Sequence, residues 1–401
     1  EMCIRDSYRL TSSQRILQPK RFETRLNMIA DIAEKIRTRT RLTLDDGYRL
    51  FQHPNVAELG MLADHIRRIK HPDPVVTYNI GRNINYTNVC WVRCKFCAFY
   101  RPPGDQEGYT LPDKEIFDKV EELINIGGDA PESCEILMQG GLNPKLKIDY
   151  YESLFKEITA RYPAAYIHSL SVAEIVYLAH ISRITIEEAL IRLRDAGLKS
   201  LPGAGAEILD TEVRDTIAYR KETVQEWLDV HSLTHRLGMK STATMMFGSV
   251  ENVEHRLRHL LRVRDVQDES LANHTGYFTA FIAWSFQPEG TELPDTRKAT
   301  GYDYLRTVAI ARLMLDNIEN VQASYVTQGP KIAQIALGYG VNDFGSTMME
   351  ENVISAGGES FVMSTREIER LISDAGFTPR RRNTRYEFVK TDVQQQEKTT
   401  S

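Results

Sequence analysis

The stretch Cys90-Trp91-Val92-Arg93-Cys94-Lys95-Phe96-Cys97 decides how the rest of this chain is interpreted. Its three cysteines have the spacing C-x3-C-x2-C, and an aromatic residue precedes the last one. Three such thiolates can ligate three irons of a cubic [4Fe–4S] cluster, which leaves the fourth iron without a protein ligand. An open position is typical of metal centres that act on a bound molecule. The stretch therefore predicts a [4Fe–4S] cluster on Cys90, Cys94 and Cys97.

Two other uses of these cysteines are open at this point. A structural zinc site would need a fourth ligand, usually in a second pair such as C-x2-C, and none follows Cys97. A disulfide with a spare thiol would suit an extracellular domain, but the chain has five cysteines in 401 residues and shows no secretory signal. Cysteine use predicts a reducing, cytoplasmic location, with Cys134 as a buried small side chain.

The composition limits the kinds of partner. The chain is 42% hydrophobic and 26% charged, as expected for a globular protein, and no apolar run is long enough to span a bilayer. The formal net charge of −5 argues against a general nucleic-acid binder. We expect a small-molecule partner, with no nucleic acid and no membrane. The basic run Arg380-Arg381-Arg382 is expected to be a solvated turn.

The chain divides at the proline-rich residues 71–74, because proline lacks an amide donor and restricts the residue before it. The predicted segments are an unrelated edge at 1–7, an N-terminal helical extension at 8–74, a core barrel at 75–320, a barrel completion or cap at 321–388 and a disordered tail at 389–401.

Short apolar runs alternate with helical patterns after residue 74, which indicates parallel strands joined by helical crossovers. The predicted strands are 76–86, 135–138, 165–168, 199–201, 241–247, 277–284 and 321–326, with an eighth near 341–344. The predicted helices are 44–52, 56–69, 114–125, 150–161, 186–196, 224–237, 253–268, 302–315 and 330–336. Six to eight such units favour an α/β barrel of the TIM type over an open sheet.

Residues suited to chemistry follow the predicted strands, where the sites of such barrels lie. The segments are 90–97, 138–141, 168–171, 202–207, 246–251 and 284–288. Gly140 and Gly141 let the backbone approach a ligand, or simply form a tight turn. Glu207 suits ribose hydroxyls or a cation, and His168 suits proton transfer. The structural alternatives are a helix-terminal acid for Glu207 and Glu251, and a buried structural histidine for His168.

At this point the residues resemble a known family. Residues 85–90 leading into 94–101 are similar to the radical S-adenosylmethionine (SAM) enzymes, in the branch that serves menaquinone and deazaflavin synthesis. Within that branch, residues 201–208, 242–248 and 281–288 are most similar to the cyclic dehypoxanthine futalosine synthases. The resemblance extends from the N-terminal helices to about residue 390.

The resemblance implies a radical SAM barrel with a [4Fe–4S] cluster and SAM as cofactors. A low-potential donor such as flavodoxin or ferredoxin would reduce the cluster. The 5′-deoxyadenosyl radical from SAM would take the ribose C4′ hydrogen of dehypoxanthine futalosine, and the carbon radical would close onto the benzoate ring. The residues implied at the cofactors are Phe96, Gln139, Gly140, Gly141, Glu207 and Gln287, and those implied in catalysis are His168 and Glu207.

Several alternatives stay open. Aminofutalosine synthase and the F-zero synthase subunits belong to the same branch. A non-enzymatic iron–sulfur carrier or a zinc protein would belong to other classes. The side chain that binds the substrate carboxylate is also open among Arg82, Arg93 and Arg101.

Overall fold

The computed structural model describes residues 29–358 and 361–389. The predicted edge at 1–7 and the tail from 390 lie outside the described residues. The strands are β1 (Val75–Asn79), β2 (Gly81–Ile84), β3 (Cys134–Met138), β4 (Ala165–Ile167), β5 (Ser200–Leu201), β6 (Lys240–Phe247), β7 (Phe278–Ser285), β8 (Asn320–Gln322), β9 (Asp343–Ser346) and β10 (Thr378–Arg381).

Fourteen helices are described in the same residues. They are α1 (Ala30–Arg37), α2 (Leu44–Gln52), α3 (Val56–Lys70), α4 (Asp113–Gly127), α5 (Ile148–Arg161), α6 (Val172–Ser182), α7 (Ile186–Ala196), α8 (Thr211–Ala218), α9 (Val224–Arg236), α10 (Val253–Asn273), α11 (Gly301–Met314), α12 (Tyr325–Ala336), α13 (Asn352–Ser355) and α14 (Thr365–Asp374). None of them is long and apolar enough to cross a membrane.

The strands form a closed parallel ring. One sheet has the order β10-β1-β9-β8-β7-β6-β5 and the other has the order β2-β3-β4. The Lys199 amide donates to Ile167 O at 3.0 Å and the Ser169 amide to Ser200 O at 3.3 Å, which joins β4 to β5. Only Ile80 separates β1 from β2, so this continuous segment joins the two sheets at the other side. The predicted α/β barrel is confirmed.

The first predicted strand is divided because its neighbours change along its length. Its first half, β1, pairs with β9 and β10, whereas its second half, β2, pairs with β3. The predicted strand 321–326 is wrong at its end, since β8 stops at Gln322 and Tyr325 already begins α12. The predicted helix 330–336 is the second part of α12, which is interrupted at Gly329 (φ +75°) directly before Pro330.

The expectation of a solvated turn at the basic run is wrong. Arg380 and Arg381 belong to β10, and Arg382 is 3% exposed. Its guanidinium donates to Asp343, the first residue of β9, at 2.5 Å from Nε and 2.8 Å from Nη2. A polar run can end a buried strand because a carboxylate on the neighbouring strand pairs with it.

The chain after β10 covers one end of the barrel. Arg385 pairs with Glu132, just before β3, and its guanidinium lies 5.7 Å from the Tyr166 ring centroid in β4. Residues 382–389 therefore cross the N-terminal ends of the strands, which we call the closed end. The opposite end, where the strands run into the cysteine loop and the other predicted site segments, is called the mouth.

Candidate active site

The cysteine loop after β2 is closed by backbone hydrogen bonds. The Cys90 amide donates to Arg101 O at 2.8 Å, and the Arg101 amide donates to Asn88 O at 2.8 Å. Arg93 adopts the left-handed conformation (φ +60°), which turns the chain between the first two cysteines. This closure gathers Cys90, Cys94 and Cys97, and all three are free of disulfide bonds.

The environment of the three thiols disfavours an unpaired negative charge. Burial raises the pKa of Cys90, raises that of Cys94 strongly, and raises the pKa of Cys97 to about 11. The charges of the other cysteines add to the rise at Cys94 and Cys97, so the three groups share one site. Thiolates in such a place need a cation beside them, which a metal centre supplies.

The spacing of the sulfurs separates a cluster from a single zinc ion. Among the described residues, one group of three His, Cys, Asp or Glu side chains has ligand atoms all within 4.8 Å of one another, and it is Asp210, Glu212 and His255. At least two of the three cysteine sulfurs are therefore more than 4.8 Å apart. Tetrahedral zinc with Zn–S bonds of about 2.3 Å holds its sulfurs about 3.8 Å apart. The sulfurs are thus spaced more widely than the ligands of one zinc ion, and three free thiols on one loop are the donor set that a [4Fe–4S] cluster takes.

The predicted glycine turn packs directly against the cysteine loop. A Cβ on Gly141 would lie 2.3 Å from Val89 O and 2.9 Å from Cys90 Cβ. A Cβ on Gly140 would lie 2.9 Å from the Tyr86 ring. Close packing thus requires both glycines, as the tight-turn interpretation held. Contact with SAM stays a prediction that this geometry permits.

Glu207 lies in the loop after β5 and is paired with a lysine. Its Oε1 accepts a hydrogen bond from Lys221 Nζ at 2.6 Å. The helix-terminal interpretation of Glu207 is wrong, because α8 begins at Thr211 with Asp210 as its cap. Burial lowers the pKa of Lys221, but Glu207 and Glu222 reverse this and raise it. Burial raises the pKa of Cys94, and the Lys221 charge partly offsets that rise, so the Glu207–Lys221 pair adjoins the cysteine site.

Three of the predicted ligand-binding residues carry a buried polar atom without a hydrogen-bond partner among the described residues. These atoms are Gln139 Nε2, Glu207 Oε2 and Gln287 Oε1. The Gln287 Nε2 donates to Ser285 Oγ at 3.1 Å, so only its oxygen is unsatisfied. Buried polar atoms are nearly always bonded, so each of these three needs a partner from outside the chain, such as a ligand or a water.

His168 occupies a different position from these groups. Its Nδ1 lies 2.6 Å from Ser200 Oγ. Burial lowers the pKa of His168, and the charged groups that act on it are Glu135 and Arg382 of the closed end. These contacts do not bring it to the cysteines, so its catalytic role stays a prediction.

Comparison with known proteins decides the family. The radical SAM superfamily matches residues 84–263, and the CofH/MqnC C-terminal region matches residues 275–395. A cyclic dehypoxanthine futalosine synthase of Halalkalibacterium halodurans is 47% identical over 363 residues, covering 90% of this chain and 95% of that protein. This chain is a radical SAM enzyme. It belongs to the branch that contains that synthase, and an iron–sulfur cluster and SAM are general properties of its superfamily.

One further relative and one solved structure are also similar to this radical SAM enzyme. An aminodeoxyfutalosine synthase of Streptomyces coelicolor is 34% identical over 375 residues, covering 90% of this chain and 94% of that protein. The crystal structure of methylornithine synthase (PylB) has a TM-score of 0.67 and 17% identity, covering 86% of this chain and 96% of that chain. That structural likeness supports the radical SAM barrel fold.

Helix α8 supplies residues of this radical SAM enzyme that the sequence did not indicate. Arg214 donates to Gly205 O at 2.9 Å and to Ala206 O at 3.0 Å, which holds the loop that carries Glu207. The Lys95 amide donates to Ile217 O at 2.8 Å, so the same helix supports the cysteine loop. Lys221 follows α8 and lies 5.7 Å over the Phe96 ring. The only sequence signal for them was a short charged stretch without a motif.

The structure also shows which groups the arginines proposed for the substrate carboxylate already contact. Arg82 pairs with Glu122 at 2.5 Å and with Glu350 at 3.0 Å, and Arg101 pairs with Glu107 at 2.6 Å. Protein carboxylates therefore already occupy both guanidinium groups. Arg93 is exposed on the cysteine loop itself, and all three arginines stay candidates for the substrate carboxylate.

Glu251 shapes the loop after β6 and does not start a helix. Its carboxylate accepts the Gly248 amide at 2.6 Å and the Ser249 amide at 2.8 Å. It also pairs with Arg256 at 2.8 Å. The expected first-turn acid is wrong, because Asn252 caps α10 and Glu254 is the acid of its first turn.

Proposed function

We propose that this radical SAM enzyme converts dehypoxanthine futalosine to cyclic dehypoxanthine futalosine in menaquinone biosynthesis. It would remove the hydrogen atom from the ribose C4′ and close the carbon radical onto the benzoate ring. The ring radical would then lose a proton and return one electron to the oxidised cluster, which restores aromaticity. The observation that carries the proposal is the 47% identity to a cyclic dehypoxanthine futalosine synthase over 90% of the chain. The identity to an aminodeoxyfutalosine synthase over the same share is 34%.

The residues at the mouth have distinct proposed tasks. Cys90, Cys94 and Cys97 would hold the [4Fe–4S] cluster. The reduced cluster with bound SAM supplies a 5′-deoxyadenosyl radical, which abstracts hydrogen from carbon. The chain itself positions and shields the reacting groups, which is how proteins contribute to cofactor chemistry.

Polar atoms at the mouth would bind SAM. The Gly140–Gly141 turn packs against the cysteine loop, and the neighbouring Gln139 has a buried Nε2 without a partner among the described residues. Glu207 offers its unpaired Oε2 while Lys221 holds Oε1 at 2.6 Å, which fixes the direction of the carboxylate. Gln287 offers an amide oxygen from the end of β7. A fixed carboxylate loses less conformational entropy when it binds hydroxyl or ammonium groups.

The proposal includes an external electron source. The cluster would receive an electron from a low-potential carrier such as flavodoxin or ferredoxin, in the cytoplasm. A chemical reductant can replace the carrier in a test of the reaction.

An anaerobic assay with reconstituted protein, SAM, a strong reductant and dehypoxanthine futalosine tests the function. We expect mass spectrometry to detect free 5′-deoxyadenosine and a product lighter than the substrate by two hydrogens. The Cys94→Ala variant should lose the visible iron–sulfur absorbance and all SAM cleavage. Cys134→Ala is the matched control, because Cys134 is also a free buried cysteine, but it begins β3 and packs against Gly127.

Other outcomes would redirect the assignment. Incorporation of adenosine into an enol-ether substrate would identify an aminofutalosine synthase instead. SAM cleavage without either product would retain the class and reject the substrate. Full turnover by Cys94→Ala would contradict the cluster assignment itself.

A further inference from the structure

The N-terminus of α6 contains a capping box whose glutamate does more than cap. The Ser171 amide and hydroxyl donate to Glu174 Oε2 at 2.6 and 2.7 Å, and the Glu174 amide donates back to Ser171 Oγ at 3.2 Å. This reciprocal pattern satisfies the first amides of the helix. It uses only one of the two carboxylate oxygens.

The second oxygen leaves the helix and reaches the mouth. Glu174 Oε1 accepts the Tyr86 hydroxyl at 2.7 Å and the Gly140 amide at 3.0 Å. Tyr86 lies four positions before Cys90, and its hydroxyl is also 2.8 Å from that of Tyr151. One carboxylate therefore connects α6, the glycine turn and the strand segment that enters the cysteine loop.

The bonding pattern gives Glu174 a defined state. The four groups on its oxygens are all donors, so the side chain acts as a pure acceptor. Burial raises the pKa of Glu174, whereas the bonds from Ser171, Tyr86 and the Gly140 amide lower it. A carboxylate that is 5% exposed and bonded on both oxygens is rigid.

We propose that Glu174 is a positioning residue: it fixes the Gly140–Gly141 turn against the cysteine loop and thereby sets the affinity for SAM. The inference rests on the proposed function, since that function places SAM at this turn. Gly140 and Gly141 have no side chains to fix the turn from within, and their packing against Tyr86 and Val89 does not fix the Gly140 amide. The Glu174 oxygen does.

The chain contains a matched control for this inference. Ser364 and Glu367 form the same Ser-x-x-Glu capping box on α14, where the Ser364 amide and hydroxyl donate to Glu367 Oε2 at 2.9 and 2.8 Å. Glu367 is exposed on a helix that packs near β10, away from the mouth. Substitution there removes the capping function alone.

The test compares Glu174→Gln with Glu367→Gln in the reconstituted enzyme. A glutamine can still offer an oxygen to Ser171, but it then presents an NH2 group to the Gly140 amide, and two donors face each other. We expect KM and Kd for SAM to rise about tenfold in Glu174→Gln, as one hydrogen bond to a charged group is lost. Iron content, visible absorbance and kcat at saturating SAM should change much less. Glu367→Gln should leave all of these unchanged.

Two results would overturn the proposal. One is an unchanged SAM affinity in Glu174→Gln with a melting temperature lowered as in Glu367→Gln, which would make Glu174 a helix cap only. The other result concerns Tyr86→Phe, which serves if Glu174→Gln does not fold. This variant removes one hydrogen bond to the same Glu174 oxygen and should raise KM for SAM about threefold. An unchanged KM would contradict the inference. Kd for SAM, and KM for SAM in its reductive cleavage by a chemical reductant alone, are measured without the futalosine substrate, so a wrong substrate assignment would not affect this result.

Discussion

A buried carboxylate at the closed end of the barrel and one at the mouth are hydrogen-bonded in different ways. At the closed end, both oxygens of Asp343 are bonded, to Arg382, to the Gly345 amide at 3.0 Å and to the Thr77 hydroxyl at 2.5 Å. At the mouth, Glu207 has one oxygen bonded to Lys221 and the other without a partner among the described residues. The Asp343 carboxylate is thus saturated by groups of its own chain, whereas the Glu207 carboxylate keeps one oxygen available to a ligand.

The difference separates stability from function. A fully bonded buried pair contributes to a unique fold, whereas an unsatisfied buried atom costs folding free energy. Proteins keep such atoms where activity requires them. We therefore expect substitutions at the closed end to change mainly the free energy of unfolding, and substitutions at the mouth to change mainly cofactor binding and turnover.

The largest expected effect on stability is at Arg382. Its removal in Arg382→Ala leaves the Asp343 carboxylate buried without its cation, which should lower the free energy of unfolding by about 3–5 kcal/mol. Denaturant unfolding monitored by circular dichroism measures this. The activity per folded molecule should stay near that of the unchanged chain, because Arg382 lies at the closed end.

A double variant sharpens this prediction. Arg382→Met combined with Asp343→Leu removes both charges, and the loss should be smaller than for Arg382→Ala, since no unpaired charge remains. An equal loss in both variants would show that packing, not charge pairing, determines the stability of the closed end.

At the mouth, the strongest steric prediction concerns Gly141. The added methyl of Gly141→Ala would lie 2.3 Å from Val89 O, so the cysteine loop must move. Overpacking of this kind costs about 1–3 kcal/mol, and we expect iron content and turnover to fall about tenfold or more. Gly338→Ala is the control, since its Cβ would meet only Ile335 O at 3.5 Å. A loaded, active Gly141→Ala enzyme would contradict the packing.

Two buried histidines, one in α9 and one in α10, predict that the protein is sensitive to acid. Burial lowers the pKa of His235 and of His259 to about 3 from 6.5. Their neutral form is therefore favoured in the folded state, and the unfolded chain binds protons first as the pH falls. Their contribution is complete above pH 6.5 and is lost between 6.5 and about 3, at about 1.4 kcal/mol per pH unit for each histidine. Urea unfolding at several pH values measures the slope.

The acid prediction has a direct control. His235 Nε2 lies 2.7 Å from Ser241 Oγ of β6, and its Nδ1 lies 2.7 Å from Ser270 Oγ of α10. In His235→Gln, the slope between pH 6.5 and 5 should decrease by about 1.4 kcal/mol per unit. An unchanged slope in His235→Gln would assign the acid sensitivity to other groups.

The part of the fold that could be predicted from sequence is the part with local signals. The alternation of apolar runs and helical patterns located most strands to within two residues, because each run is bounded by charged or turn residues. Helix α6 was not predicted, since Val172, Ala173, Ile175 and Leu178 are all buried and give no amphipathic period. The exchange of neighbours between β1 and β2 depends on strands distant in sequence and has no local signal.

The site follows the same rule. The cysteines, the glycine turn and Glu207 follow strands, and a barrel collects such residues at one end. Lys221 and Arg214 come from a short helix and the loop after it, and reach the loop of Glu207 only through the folded chain. Ser171 and Glu174 have the spacing typical of a capping box, but the second Glu174 oxygen acquires partners only when α6 packs beside the mouth.

The smallest expected effect on stability tests the comparison most directly. Gln139 at the mouth and Gln267 in α10 both have a buried amide nitrogen, but Gln267 Nε2 donates to Phe278 O at 3.0 Å and its Oε1 accepts the Phe278 amide at 2.8 Å. Gln267→Met should therefore cost about 1–3 kcal/mol. Gln139→Met removes an unbonded donor and should change stability by less than about 0.5 kcal/mol, while KM for SAM rises. If Gln139→Met destabilised the chain as much as Gln267→Met with SAM binding intact, the polar atoms of the mouth would be structural, and the contrast between the two ends would not reflect ligand binding.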